Sequence, residues 1–405
     1  MRLGKRILMG LVGVVFISQL PFAYRRYKLG QLHAAIQQLN SERKAGQKEG
    51  DADAEYKGVI HVHSFLGGHS TGTFEDIVAA ANANQLNFVI MTEHPSKNFD
   101  TAAMTLKGVH AGVLFVNGSE VLTANQDRLL VMPGDETVAA ASSSATQDFL
   151  SQEKAKGALA FIAYPREFKS WNTNGYDGVE VYNVFTNAGT VNPLITFFDG
   201  LWSYRSYPDL LFATFYTRPA GALKEWDETI ANRNVRLVAI AGNDAHANVG
   251  LSLNDSSGKT LLGIKLDPYE RSFRLVRMHV FVPKDKSLTS ETLLAALRAG
   301  HCFIGFDLFG DTTGFSFTAG NGMETKLQGD EIALGKGLRL SVNTPIIGRI
   351  LILKNGVVET EQSGVSRREF TIAETGTYRV EVYLPQLLRP VSDQPWIISN
   401  PIYVR

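Results

Sequence analysis

Val59-Ile60-His61-Val62-His63-Ser64 is an apolar, β-branched run that carries two histidines two positions apart. Alternate residues of a strand share a face, so both imidazoles project toward one point. His69 follows inside the turn Gly67-Gly68-His69-Ser70-Thr71-Gly72-Thr73. A lone histidine in a strand is more often a core or surface residue than a ligand. A pair joined by a third on a glycine-rich turn reads as a metal-ligand set.

Working outward, three further apolar runs end in similar chemistry: Thr92-Glu93-His94, Gly118-Ser119-Glu120 and Asn243-Asp244-Ala245-His246. Each delivers imidazole or carboxylate where a strand gives way to a loop, the edge on which α/β barrels build their sites. Apolar runs at 58–62, 88–91, 113–116, 158–163, 178–182 and 237–241 alternate with segments of helical spacing such as 74–85. Such alternation over residues 56–307 predicts an α/β barrel or layered sheet, with parallel strands and helices outside. From Phe315 the texture turns all-β, with strand-like runs at 338–342, 349–353, 368–372 and 377–383 and turns such as Lys354-Asn355-Gly356. A β-sandwich-like domain is expected over 315–405. Residues 191–218 interrupt the alternation with Phe197, Phe198, Trp202, Tyr204, Tyr207, Phe212, Phe215 and Tyr216. Three readings stay open there: a helical insertion packed on the barrel, a lid over substrate, or a second contact with a membrane.

Composition sets bounds on function. With 405 residues, 44% hydrophobic and 20% charged, the chain has material for a large core and two or three domains. Forty basic residues balance forty acidic ones, so no global field draws nucleic acid and no nucleic-acid partner is expected. Cys302 is the single cysteine, which excludes an intrachain disulfide and a cysteine-rich zinc site. Metal ligands must then be His, Asp or Glu.

The N-terminus departs from this average. Met1-Arg2-Leu3-Gly4-Lys5-Arg6 is basic, and residues 7–24 carry no charge and are mostly apolar. That length suits a membrane span of roughly 17 to 25 residues. A cleaved signal peptide is the competing reading, but Pro21-Phe22-Ala23 lacks small residues at both cleavage positions. An uncleaved single-pass anchor over 1–28 is expected, followed by a stalk over 29–55 with a short amphipathic helix at 29–39. Arg25, Arg26 and Lys28 rival Arg2, Lys5 and Arg6 as orientation signals, and an N-in anchor with an extracytoplasmic body is favoured.

Taken in order, His61-Val62-His63, His69, Thr92-Glu93-His94, Gly118-Ser119-Glu120, Asp177-Gly178-Val179-Glu180-Val181-Tyr182-Asn183 and Asp244-Ala245-His246 resemble the PHP (polymerase and histidinol phosphatase) family over about residues 56–307. The resemblance implies a distorted (β/α)7 barrel with two or three divalent metals, usually hydrolysing phosphate esters. Leu297-Arg298-Ala299-Gly300-His301-Cys302-Phe303 and Trp396-Ile397-Ile398-Ser399-Asn400-Pro401-Ile402-Tyr403 resemble a branch that adds a C-terminal β-domain and includes carbamate-insecticide hydrolases. By the same resemblance His61, His63, Glu120 and Asp244 would hold one metal, and His69, His94 and His246 a neighbouring one. Zn, Mn or Fe would suit such ligands.

Two departures bear on the chemistry. Arg128 stands where family members carry a further histidine, and Ala163-Tyr164-Pro165 stands where Ala-His-Pro is common. In three-metal members those two histidines serve one metal, so their joint absence implies that two metals remain. Arg128 either replaces the lost cation by binding a substrate anion or is a surface arginine. Asp244 is also placed to steer the proton of the nucleophile. Glu93 either orients neighbouring histidines or caps its loop, and Glu180 is either functional or structural. His33, His110, His279 and His301 are read as ordinary residues. The expected function is a membrane-tethered metallophosphoesterase acting on a small or membrane-associated ester. The alternatives are a carboxyl- or carbamate-ester hydrolase, or a non-catalytic scaffold on a degenerate barrel.

Overall fold

The computed structural model describes residues 2–43, 52–188, 192–248, 250–254, 260–265 and 267–405. It opens on one unbroken helix, Arg2–Glu42. The first half carries exposed apolar side chains from Leu3 to Tyr24 and is long and apolar enough to cross a membrane. In the second half Leu29, Leu32, Ile36 and Leu39 fall on one face by helical spacing and are buried in the main core. This corrects the stalk expected over 29–55: its first part is docked, because that apolar stripe is worth more against the body than in water. Asp53 to Glu55 are likewise already part of the strand Asp53–Val62. Residues 44–51 of the expected stalk lie outside the described residues.

The architecture is mixed α/β with two large sheets. In the larger, Asp53–Val62, Phe88–Met91 and Val113–Val116 pair in parallel. On its other edge Asp53–Val62 pairs antiparallel with Arg277–Pro283, which continues through Cys302–Gly305 and Pro395–Ser399 into Gly376–Tyr383 and Arg339–Lys354. The C-terminal β-region is therefore not set apart, since its strands extend the sheet that carries His61. Lys354-Asn355-Gly356 makes the expected tight turn, with Asn355 and Gly356 both at positive φ.

The second sheet runs Ser119–Leu122, Arg128–Met132, Leu159–Ile162, Gly178–Asn183, Val238–Gly242. Its first two pairings are antiparallel and its last two parallel, so the all-parallel alternation expected from sequence is broken by the hairpin that carries Glu120 and Arg128. Helices cover the outside. Phe74–Ala83 is started by a capping box between Thr73 and Asp76 and buries Ile77, Ala80 and Ala81.

The two sheets are stitched together where their strands end. Val62 bridges Ala245 and Glu93 bridges Ser119, both in parallel sense. Asn243 N–H donates to Ile60 O at 2.9 Å and His63 N–H to Ala245 O at 3.0 Å. These contacts bring the strand ends bearing His61, Glu93, Glu120 and Asp244 side by side.

Candidate metal centre

His61, His63, Glu120 and Asp244 are all buried, and each offers one ligand atom to a group lying within 4.8 Å of one another. His61 Nε2 is 3.2 Å from Glu120 Oε2 and 3.4 Å from Asp244 Oδ1. His63 Nε2 is 3.3 Å and 3.5 Å from the same two atoms. Donors about 2.1 Å from a tetrahedral ion sit about 3.4 Å apart, so these spacings match a coordination shell. His63 Nε2 and Asp244 Oδ1 are buried without an aligned hydrogen-bond partner, which is costly unless something else satisfies them. This donor set can hold a metal ion.

A second group joins it. His63, His94 and His246 also converge, with the His63 ring between the other two at centroid distances of 4.7 Å and 4.3 Å. His94 Nε2 approaches Glu120 Oε2 at 3.6 Å, and His246 Nδ1 approaches Asp244 Oδ1 at 3.5 Å. Each carboxylate oxygen is thus shared between the two groups. The sequence reading placed His69 in the second group; the structure puts His63 there instead. His69 packs edge-on against His94, ring centroids 5.1 Å apart, on the wall of the adjoining cavity. The physical reason is its loop, whose Ser70 and Thr71 hydroxyls are tied to the carbonyls of His246 and Ala247, holding it beside the cluster.

The electrostatics favour a cation. Burial opposes charge on His61, but Glu180, Asp244 and Glu120 together hold its pKa well above the ordinary histidine value. Burial likewise opposes ionisation of Glu120, yet His61 and His63 hold it well below the usual carboxylate range. Asp244 is lowered in the same way. Two carboxylates are therefore kept ionised at the centre. His94 is pushed down to about 4, chiefly by burial, and His246 is lowered for the same reason, which leaves neutral imidazoles with free lone pairs.

Surrounding groups hold the ligands in place. His61 Nδ1 donates to Glu180 Oε1 at 2.6 Å. Tyr164 Oη donates to Asp244 Oδ2 at 2.6 Å, and Asn183 Nδ2 reaches the same oxygen at 3.3 Å. His61, Tyr164 and Asp244 have φ values of 68°, 50° and 47°, a left-handed conformation rare for residues with side chains. The strand pairing slips between Ile60 and Val62, so His61 sits on a bulge that re-aims it, beyond what simple alternation predicts. Backbone strain of this kind persists where surrounding structure enforces it.

Glu93 caps its loop: its carboxylate accepts from Ser64 N–H at 3.0 Å, from Ser64 Oγ at 2.6 Å and from Thr105 Oγ1 at 2.9 Å. Glu180, left undecided by the sequence, is a partner of the cluster. In the sequence Tyr164 stands out only as a departure from Ala-His-Pro, and Asn183 has no signal of its own beyond lying in the family-like segment. Arg128 is tied to the cluster although its side chain is partly exposed: Nη1 donates to Glu120 Oε1 at 2.9 Å, and the guanidinium lies 5.3 Å from the Tyr164 ring centre. His33, His110, His279 and His301 all lie outside the two groups.

A cavity of about 690 Å³ opens on the cluster. Its polar wall includes His94, Glu120, Arg128, Tyr164, Asp244, His246 and Lys97, and its apolar wall includes Val121, Leu122, Val138 and Phe185. That volume accommodates a small organic substrate.

No protein-family profile matches the chain, and no curated protein sequence does either. Among solved structures it is similar to PsfC from Pseudomonas syringae PB-5123, at 12% identity, covering 60% of this chain and 89% of that one, with a TM-score of 0.38. A likeness that loose carries no argument about fold or chemistry.

Proposed function

We propose that the chain is a membrane-tethered, metal-dependent hydrolase built on a distorted (β/α)7 barrel of the PHP type, and that it acts on phosphate esters. The observation that carries this reading is the convergence of His61, His63, His94, His246, Glu120 and Asp244 on two adjoining points, with His63 Nε2 and Asp244 Oδ1 otherwise unpartnered. Two divalent ions, Zn, Mn or Fe, would be held by these six residues. Ions so held would supply a water nucleophile at neutral pH and Lewis acidity toward an ester oxygen.

The chain's own residues do the rest. Glu120 and Asp244 stay ionised and balance the charge of the centre. Asp244, fixed by Tyr164 and Asn183, is placed to steer the proton of the attacking water. Arg128 keeps one edge on Glu120 and, being partly exposed at the cavity, offers its remaining donors to a substrate anion. It thereby supplies positive charge where the family resemblance implies a third metal. Lys97 adds a second cation at the rim. A tetrahedral, multiply charged phosphoryl group suits this wall better than a neutral ester does.

A second reading, carboxyl- or carbamate-ester hydrolysis, is supported by the apolar wall of Val121, Leu122, Val138 and Phe185. The separating experiment uses the full chain in detergent, because residues 29–42 belong to the core. Aryl phosphate mono- and diesters are compared with aryl acetate and carbamate in the presence of Zn, Mn or Fe. Turnover of phosphate esters supports the proposal; turnover of the carboxyl or carbamate esters alone overturns it.

A further inference from the structure

The helix Pro193–Ser203 has its amphipathic character turned inside out. Leu194, Phe197 and Leu201, spaced by one turn, are 66%, 54% and 70% exposed, while Asp199 and Ser203 are 4% and 1% exposed. A helix of a soluble body buries its apolar stripe and shows its polar one. Here the polar stripe is used internally and the apolar stripe is presented outward.

The helix is also firmly held, so the exposure is not that of a loose segment. Arg25 Nε donates to Asp199 Oδ1 at 2.7 Å and to Oδ2 at 2.9 Å. Trp202 Nε1 donates to Gln19 Oε1 at 3.0 Å, and Arg26 donates to Trp202 O. The Phe22 and Phe198 rings pack at 5.0 Å. Every one of these ties runs to the N-terminal helix, at the level where its apolar half gives way to Arg25, Arg26 and Lys28. The N-terminal helix that holds it also exposes apolar side chains, among them Phe16, Leu20 and Tyr24. Tyr24 and Tyr27 flank Arg25 and Arg26 on the N-terminal helix, and Trp202 reaches the same helix at Gln19, residue types that suit a membrane–water boundary.

We infer that Pro193–Ser203 is a second membrane contact, lying in the headgroup region of the bilayer that the N-terminal helix crosses, with Leu194, Phe197 and Leu201 in the acyl boundary. This rests on reading residues 7–24 as a membrane span. An in-plane helix of this kind binds through buried apolar area, and a neighbouring span removes most of the entropic cost of finding the surface. Together the two contacts hold the body in one orientation. Five residue steps separate Pro193 from Ala188, the end of the short helix whose Phe185 lines the metal cavity, so the two are no more than about 18 Å apart. The cavity rim is therefore kept close to the lipid surface, which favours an ester presented there. A second copy of the chain is the rival occupant of the same stripe.

The test uses the full chain in phosphatidylcholine–phosphatidylglycerol vesicles. The native Cys302 is buried and stays silent. Leu194→Cys, Phe197→Cys and Leu201→Cys are each labelled with a spin probe, alongside Val12→Cys in the span and Met323→Cys, an exposed control far along the chain. The expected result is that the three helix positions gain accessibility to membrane-dissolved oxygen and lose accessibility to an aqueous nickel chelate by about two-fold or more relative to Met323→Cys. If Val12→Cys is lipid-protected while the three positions behave like Met323→Cys, the inference fails and the anchor stands. If Val12→Cys is itself water-accessible, both fall. Dipolar broadening between labels at Phe197→Cys, with no gain in oxygen accessibility, assigns the stripe to a second copy and overturns the lipid contact.

Discussion

His61 and Glu180 are joined by a hydrogen bond of 2.6 Å between Nδ1 and Oε1, with both side chains fully buried. The bond fixes the imidazole so that Nε2 faces Glu120 and Asp244, and the carboxylate makes that nitrogen a stronger donor. Glu180→Gln preserves the shape and removes the charge. Metal affinity is expected to fall roughly 10- to 100-fold, the usual cost of losing such a partner. Competition against a chromophoric chelator measures it; an unchanged affinity would make Glu180 merely structural.

Gly242 is the packing condition for that pair. A Cβ at this position would lie 1.7 Å from Glu180 Oε1 and 2.9 Å from His61 Cβ. Gly242→Ala therefore must displace Glu180. The expected loss is about 1–3 kcal/mol of stability, as for other overpacked sites, together with weaker metal binding. Thermal unfolding of the purified chain with and without added metal reads both effects, and a variant indistinguishable from wild type contradicts the geometry.

Arg128 and Tyr164 are separable by kinetics. Arg128→Ala removes a charge-assisted contact and is expected to lower kcat/KM for a phosphate ester roughly 10- to 100-fold, mostly through KM. Tyr164→Phe removes only the bond to Asp244 Oδ2, so its effect should fall on kcat, with KM nearly unchanged. Equal effects on both parameters in both variants would show that the two residues are not divided between substrate and ligand.

Much of the site was legible because its residues announce themselves chemically. Histidines two apart in an apolar strand, and Asp244 and His246 at a later strand end, have few structural uses other than ligation. What sequence could not supply was the local geometry. His63 rather than His69 joins His94 and His246, because a bulge at His61 and the ties of the Ser70–Thr71 loop set where the rings point. The docking of Leu29, Leu32, Ile36 and Leu39 was also hidden: a short amphipathic helix reads the same whether it packs on a body or links to one. Nor does a strand's sequence reveal its neighbour, so the continuation of the Asp53–Val62 sheet through Arg277–Pro283 into the C-terminal region had no local signal.

That junction carries a pH dependence. His279 lies between Glu55 Oε1, 2.7 Å from Nδ1, and Asp307 Oδ1, 3.3 Å from Nε2. Burial works against its charge, but Asp307 and then Glu55 outweigh it and raise the pKa to about 9. A raised folded-state value means the stabilisation is fully present below the unfolded value near 6.5 and is lost as pH climbs through about 9. The contribution is on the order of 3 kcal/mol at most. Unfolding midpoints measured from pH 6 to 10 should therefore fall more steeply for wild type than for His279→Asn, and parallel curves would refute this assignment.

The most direct measurement is metal content. The full chain, purified in detergent without chelator and incubated with Zn, Mn or Fe, is passed through a desalting column and measured by plasma mass spectrometry. About two equivalents of transition metal per chain are expected, with a large fall in a His63→Ala, Asp244→Ala double variant that remains folded by circular dichroism. Retention of well under one equivalent by the wild-type chain under every one of these conditions would contradict the assignment of this cluster as a metal centre.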